Sequence, residues 1–390
     1  MMEQTTIKTS RKLLMISTDR SIFEAGSAVR ARQIEYAKAW DEVHIVVFAR
    51  RNFQFPISNF QISSNSQNSN ESAIAPNCWA YSTRSRFKLL YPLDAISLGK
   101  FIIEKRGITE ITTQDASLTA MAGVSLKKRF NLPLEIQIHE DIGSPYYPFN
   151  ITNKIRKALA LSYIPKADSI RVVSERIRKY LIETVGIDSN KISIRPIAVD
   201  TDSIKSTPIV PSADLHRKYP RFKKIVLMAS RLEKEKNIPL ALEAFKEVLK
   251  KIPDAGLVIV GKGSQKAKLE RLARRLELIG VANVGDAADF NASEQASNPS
   301  GSIQPFEPQA GESVIFEDWA DKATLVSYYK TADLFLNISL FEGYGMALAE
   351  AQAAGCKIVS TNVGVAPEVG AIIVEPNIES VSVAIISQIS

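Results

Sequence analysis

Residues 333–360 read DLFLNISLFEGYGMALAEAQAAGCKIVS, and the order of residue types within this stretch decides the fold. Leu334 to Ile338 is a nearly unbroken apolar run, as expected for a parallel strand buried on both faces, and Lys357 to Ser360 opens another. Between them lie a glycine-punctuated loop and a helix of about Met346 to Ala354, rich in Ala and other strong helix formers. Gly355 stands where a left-handed residue would end that helix. Strand, loop, helix and strand make the repeating unit of an open α/β sheet. Ligands of such sheets sit beyond the carboxyl ends of the strands, so the loop Ser339 to Gly345 is expected to carry the chemistry.

Its residues suit that task. Gly343 and Gly345 let a ligand approach the backbone, and the following helix offers unpaired N–H groups and a positive dipole end to an anion. Glu342 opens the loop and Glu350 lies within the helix, with seven residues between them. Two carboxylates so spaced can address two parts of one ligand, and a carboxylate facing a vicinal diol holds it by two hydrogen bonds. Upstream, Lys224 to Ala229 reads as a strand with Arg231 at its carboxyl end, and Asn237 with Pro239 opens a helix to about Lys251. Arg231 and Lys236, with that helix start behind them, form a clamp for a diphosphate: a bidentate fork, a point charge and a partial positive charge. Ordinary surface charge is the competing account. Gly261-Lys262-Gly263 suggests a dinucleotide loop, but Lys266 occupies the third glycine's place and the fingerprint is incomplete.

Glu342 and Glu350, with Gly343, Gly345 and the Ala-rich helix between them, resemble the E-x7-E signature of glycosyltransferase family 4, the retaining glycosyltransferases group 1. Arg231 and Lys236 stand at that family's spacing. The resemblance implies an α/β protein of two doubly wound Rossmann-like domains facing a cleft, the GT-B fold. It assigns 1–204 to an acceptor-side domain and 205–390 to the domain that binds a nucleotide-diphosphate sugar. It implies that Glu350 binds the ribose, that Glu342 and the backbone of Gly343, Tyr344 and Gly345 hold donor hydroxyls and phosphate, and that Arg231 and Lys236 stabilise the leaving diphosphate. His139, after the strand Leu134 to His139, matches a family histidine that touches the donor sugar; a buried structural histidine is the other reading. Gly26, with Ser27, matches the glycine of the family's first loop, near donor phosphate and acceptor. ADSIRVVS (167–174) and ISIRPIAVD (192–200) resemble the end of the N-terminal domain, with Ile197 and Ala198 where the family usually has Asn-Gly. The implied chemistry is front-face transfer with retention, without metal or cofactor, the nucleotide sugar being a substrate.

Composition agrees with such a protein. The 390 residues suffice for two ordinary domains, and 45% hydrophobic with 23% charged residues describes a globular chain. The formal charge of +7 is compatible with phosphorylated ligands, anionic membrane or nucleic acid. Two cysteines and three histidines at no metal-ligand spacing point to a reduced, cytoplasmic enzyme. No secretory signal and no apolar run of roughly 18 residues is evident.

The rest of the chain adds detail. Residues 1–10 are polar and expected to be disordered; Lys12 to Ser17 and Glu42 to Phe48 read as strands around a helix from Ala28 to Trp40. Gln61 to Ser72 reads as a mobile Ser/Asn/Gln-rich loop. Basic clusters at Lys127, Lys128 and Arg129, and at Lys154, Arg156 and Lys157 beside Ile151, Ile155, Leu159 and Leu161, fit either amphipathic helices resting on anionic lipid or solvated faces. Nucleic acid fits less well, because aromatic residues are not interleaved with the clusters. Ile108 to Thr113 is a further strand, and the polar tract near 287–313 reads as a disordered insertion. The chain closes with Ile372 to Glu375 and a helix from about Ile378, where the family normally adds further helices.

The expectation is therefore a retaining glycosyltransferase, with a glycan or lipid-linked acceptor, at the inner face of a membrane. The alternatives are a nucleotide-sugar epimerase on the same fold and a non-catalytic binding scaffold.

Overall fold

The structure is a computed structural model that describes residues 10–51, 71–279 and 312–390. The chain divides into two compact units, Met1–Pro196 and Ile197–Ser390.

The first unit is built on β1 (Lys12–Ser17), β2 (Glu42–Val47), β3 (Glu71–Ala75), β4 (Cys78–Ser82), β5 (Glu110–Thr113), β6 (Leu134–Ile138), β7 (Ser169–Val172) and β8 (Ile192–Ile194). Its helices are α1 (Ala28–Ala37), α2 (Tyr91–Arg106), α3 (Leu118–Phe130), α4 (Ile151–Tyr163) and α5 (Glu175–Glu183). The strands make one sheet in the order β3-β4-β2-β1-β5-β6-β7-β8, parallel except for the antiparallel edge strand β3. β1 and β2 are buried at five consecutive positions each, as their Leu/Ile/Val runs require of strands covered on both faces. Alternate residues serve opposite faces: Leu13, Met15, Val43 and Ile45 pack with Phe23 and Ala37, while Leu14 touches the backbone of α2 at Gly99. The loop read from Gln61 to Ser72 ends earlier than expected, because Glu71 and Ser72 already pair with β4; the rest of it lies outside the described residues.

The second unit comprises α6 (Thr201–Ser206), α7 (Leu215–Lys218), β9 (Lys224–Ala229), α8 (Ile238–Leu249), β10 (Ala255–Val260), α9 (Lys266–Arg275) and β11 (Val314–Glu317). It continues with α10 (Lys322–Thr331), β12 (Leu334–Asn337), α11 (Met346–Ala353), β13 (Ile358–Thr361), β14 (Ile372–Val374) and α12 (Ile378–Ile389). Its sheet, β11-β10-β9-β12-β13-β14, is parallel throughout. The double winding is visible in the strand periodicity. Val226, Met228, Leu257, Ile259, Leu334 and Leu336 face α8 and α12, and Ile225, Leu227, Val258, Val260 and Phe335 face α10 and α11.

The break between units falls after Pro196, upstream of the expected 204. The reason is packing: Ile204 of α6 is buried with Val326 of α10 and Ala353 of α11. A polar clasp fastens α7 to the same body, Lys218 and Tyr328 both meeting Glu317 Oε2, at 2.8 and 2.6 Å, while Tyr219 donates to Oε1. Beyond α9 the chain leaves and returns at one point, where the Leu278 carbonyl accepts from Ser313 N at 2.8 Å and from Val314 N at 3.1 Å. The tract read near 287–313 otherwise lies outside the described residues.

Candidate active site

In the second sheet β9 and β12 are neighbours, yet from β9 the chain winds outward through β10 to β11 and from β12 the other way through β13 to β14. This is a switch in winding direction, where loops at the carboxyl ends diverge and leave room for a ligand. The loops that diverge are Ser230–Asn237 and Ile338–Gly345, the two stretches singled out in the sequence.

The structure brings several of the expected residues together. Lys236 Nζ is paired with Glu342 Oε1, and both side chains are largely buried, 11% and 17% exposed. Ser339 Oγ donates to the same Glu342 oxygen at 2.8 Å and also lies 2.9 Å from Asn337 Oδ1. Asn337 Nδ2 reaches Ser360 Oγ across the β12–β13 register at 3.2 Å, and Thr361 Oγ1 donates to the Ser339 carbonyl at 2.6 Å. The two loops are joined by backbone as well, Leu340 N donating to the Glu235 carbonyl at 2.7 Å. Arg231 stands apart from this web. Its side chain is 68% exposed and meets Glu235 Oε1 at 2.9 Å, whereas Lys236 is buried against Glu342.

Glycine geometry shapes the loop. Gly345 takes a left-handed φ of +92° just before α11, and Val365 N donates to the Tyr344 carbonyl at 2.8 Å. That contact requires Gly364, at φ +50°: a Cβ there would sit 2.1 Å from the Tyr344 oxygen. The first amides of α11 face the loop with the dipole's positive end. Gly343 belongs to the same loop. Glu350, further along α11, accepts from Tyr329 OH at 3.2 Å, and burial raises its carboxyl above the usual range. Gly261 of the incomplete dinucleotide loop serves a different end, since a Cβ at its φ of +150° would lie 1.9 Å from the Ser230 carbonyl. It lets the β10 loop seat against the β9 loop.

His139 and Gly26 lie in the first unit. β1 and β5 form its winding switch, and beside their carboxyl ends is a cavity of about 230 Å³ lined by Thr18, Gln114, Asp115, His139, Tyr147 and Arg156 among others. His139 Nε2 lies 3.3 Å from Gln137 Oε1. Burial, with the Arg171 cation adding to it, pulls the imidazole down to about 4, so the ring is neutral near pH 7. Gly26, at φ +80°, ends the turn before α1, where Ser27 Oγ accepts from Arg30 N at 3.1 Å. Gly26 does not line the cavity around His139. Among the described residues no group of His, Cys, Asp and Glu could hold a metal ion.

Residues 36–203 match the sequence profile of Glycosyltransferase Family 4, and residues 214–285 and 298–390 match those of Glycosyl transferases group 1. The chain belongs to glycosyltransferase family 4. Over 137 residues this glycosyltransferase is 28% identical to the alpha-monoglucosyldiacylglycerol synthase of Streptococcus pneumoniae, a stretch that is 35% of the chain but 24% of that relative's length. Its fold is GT-B. The sucrose-phosphate synthase of Thermosynechococcus elongatus superposes with a TM-score of 0.65 over 96% of this chain and 89% of its own, at 18% identity. Anabaena HepE, solved with UDP and glucose, superposes with a TM-score of 0.62 over 97% and 89%, at 15% identity.

Sequence reasoning missed the members of the glycosyltransferase's polar web, Asn337, Ser339, Ser360 and Thr361. Asn337 and Ser339 do carry a signal, two polar residues ending an apolar strand. It also missed Gln114, Tyr147 and Arg156 as walls of one cavity, because they come from separate elements.

Proposed function

We propose that this protein transfers a sugar, with retention, from a nucleotide-diphosphate sugar to an acceptor hydroxyl, without a metal ion. The observation that carries this reading is the convergence, at the winding switch of the second sheet, of Lys236, Glu342 and the start of α11, with Arg231 on the same loop as Lys236. Breaking the glycosidic bond puts negative charge on the departing diphosphate. Arg231, Lys236 and the α11 amides offset that charge, and each such preorganised donor lowers a barrier by a few kcal/mol. Glu342 holds Lys236 extended and keeps an oxygen for a sugar hydroxyl, with Gly343, Tyr344 and Gly345 giving the donor backbone contact. Glu350 takes the ribose; within the first unit, His139 offers its ring to a sugar hydroxyl and Gly26 its backbone to a phosphate, as the family resemblance implies. That HepE was solved with UDP favours a uridine donor.

For the acceptor we favour a lipid-linked hydroxyl at the cytoplasmic face of a membrane, in cell-envelope glycan or glycolipid synthesis. The named activity of the Streptococcus pneumoniae relative supports it. So does α4, whose Ile151 and Ile155 are 70% and 55% exposed beside Lys154 and Lys157. Among the described residues no helix is long and apolar enough to cross a membrane.

The test is thermal unfolding with UDP, GDP and ADP and their sugar conjugates. One nucleotide at 100 times its dissociation constant is expected to stabilise by about 2.7 kcal/mol, and the shift should vanish in Arg231→Ala and Glu350→Ala. No shift with any nucleotide would overturn the donor reading.

A further inference from the structure

Glu135 and Gln137 alternate along β6 and so project from one face of the sheet, and His139 follows directly after its last residue, Ile138. Their hydrogen bonds run in one direction. Thr112 Oγ1 donates to Glu135 Oε1 at 3.1 Å. Gln137 Nε2 donates to Thr112 Oγ1 at 3.0 Å and to Glu135 Oε1 at 3.2 Å, which uses both of its protons. The amide cannot be turned over, because its oxygen would then face a carboxylate oxygen. Gln137 is 2% exposed, so water does not compete. Gln137 Oε1 is therefore the acceptor presented to His139, and His139 Nε2 must be the protonated nitrogen.

We propose that Gln137, held by Glu135 and Thr112, is a positioning residue that fixes His139 as the Nε2–H tautomer, leaving Nδ1 as a hydrogen-bond acceptor for a sugar hydroxyl. The inference rests on the reading of His139 as a sugar contact. Nδ1 has no partner among the described residues, and the ring lines the cavity beside the carboxyl ends of β1 and β5. The charged groups around the ring are Arg171 on β7, cross-strand from Gln137, with Asp115 after β5 and Arg32 on α1. The two cations disfavour the imidazolium, which would have no acceptor left at all. The site thus selects a group that donates a proton, a hydroxyl, over an acceptor-only group such as a fluorine or a carbonyl.

The chain has three histidines, so nitrogen-15 labelling of histidine in the whole protein gives an assignable spectrum, with His139→Ala identifying the signal. The expected result is a pure Nε2–H tautomer at His139 at pH 7.5. In Gln137→Leu both tautomers should appear, with kcat falling about fivefold, the worth of one neutral hydrogen bond, while nucleotide-induced stabilisation stays unchanged. Thr112→Val, which loosens the amide without emptying its place, should shift the tautomer balance the same way if the leucine variant fails to fold. A pure Nδ1–H tautomer in the parent protein, or an unchanged tautomer in both variants, would overturn the proposal. His139→Ala with undiminished transfer would overturn the underlying reading of His139 alone, and the tautomer result would separate the two failures.

Discussion

At the scale of single residues, His139 shapes the protein's acid response. Burial first, and Arg171 second, lower its folded pKa from the ordinary 6.5 to about 4. The unfolded chain therefore takes up the proton first as pH falls. The stability linked to this residue is whole above pH 6.5 and is lost as pH drops toward about 4, for a total of about 3 kcal/mol. In His139→Asn, urea unfolding at pH 7 and pH 4.5 should show an acid loss smaller by about 2 kcal/mol than in the parent protein. Glu350 responds with the opposite sign, because burial raises its carboxyl and the folded state is the one that prefers the proton.

Single elements show what was legible in the sequence and why the rest was not. β9 and α11 were read almost to the residue, because a strand buried on both faces needs an unbroken apolar run and a short Ala-rich helix ends at a glycine. α2 was not read. Pro92 and Gly99 look like helix breakers, yet Pro92 sits in the first turn and Gly99 admits Leu126 of α3 against the backbone. The β3–β4 pair was missed because CWAYS is too short and too mixed to announce a strand. At the site Glu342 and Lys236 were legible separately, but their pairing depends on loops more than a hundred residues apart in sequence. Because that pair is mostly buried, Lys236→Met should cost about 3 kcal/mol in urea unfolding, and adding Glu342→Gln should recover part of the loss. A solvated surface pair would cost less than about 1 kcal/mol. α4 was predicted as a basic amphipathic helix and is one, capped by Asn150 Oδ1 accepting from Asn153 N. Replacing Ile151 and Ile155 by Ser should reduce binding to anionic phospholipid vesicles at least tenfold, each apolar side chain contributing about 1.5 kcal/mol or more on burial, with no change in melting temperature. Unchanged vesicle binding would remove the helix from any membrane role.

For the whole molecule, the division at Pro196 gives α6 to the second unit. A chain of residues 197–390 should fold and keep its nucleotide response. One starting at residue 207 lacks Ile204, which is 3% exposed, and should lose about 2–4 kcal/mol of stability. Calorimetry of the two with and without UDP measures both effects. A different consequence follows from the paired hydrogen bonds at Leu278, which receive the returning chain at Ser313 and Val314, with the Glu317 clasp just beyond. Both ends of the excursion are fastened to the sheet by their own contacts, so the sheet's register does not depend on how much chain lies between them. Lengthening such a loop costs only about 0.6 kcal/mol per doubling. The register of β11 is thus set at Leu278 itself, and a reporter domain grafted between residues 279 and 312 should leave the unfolding of the second unit unchanged.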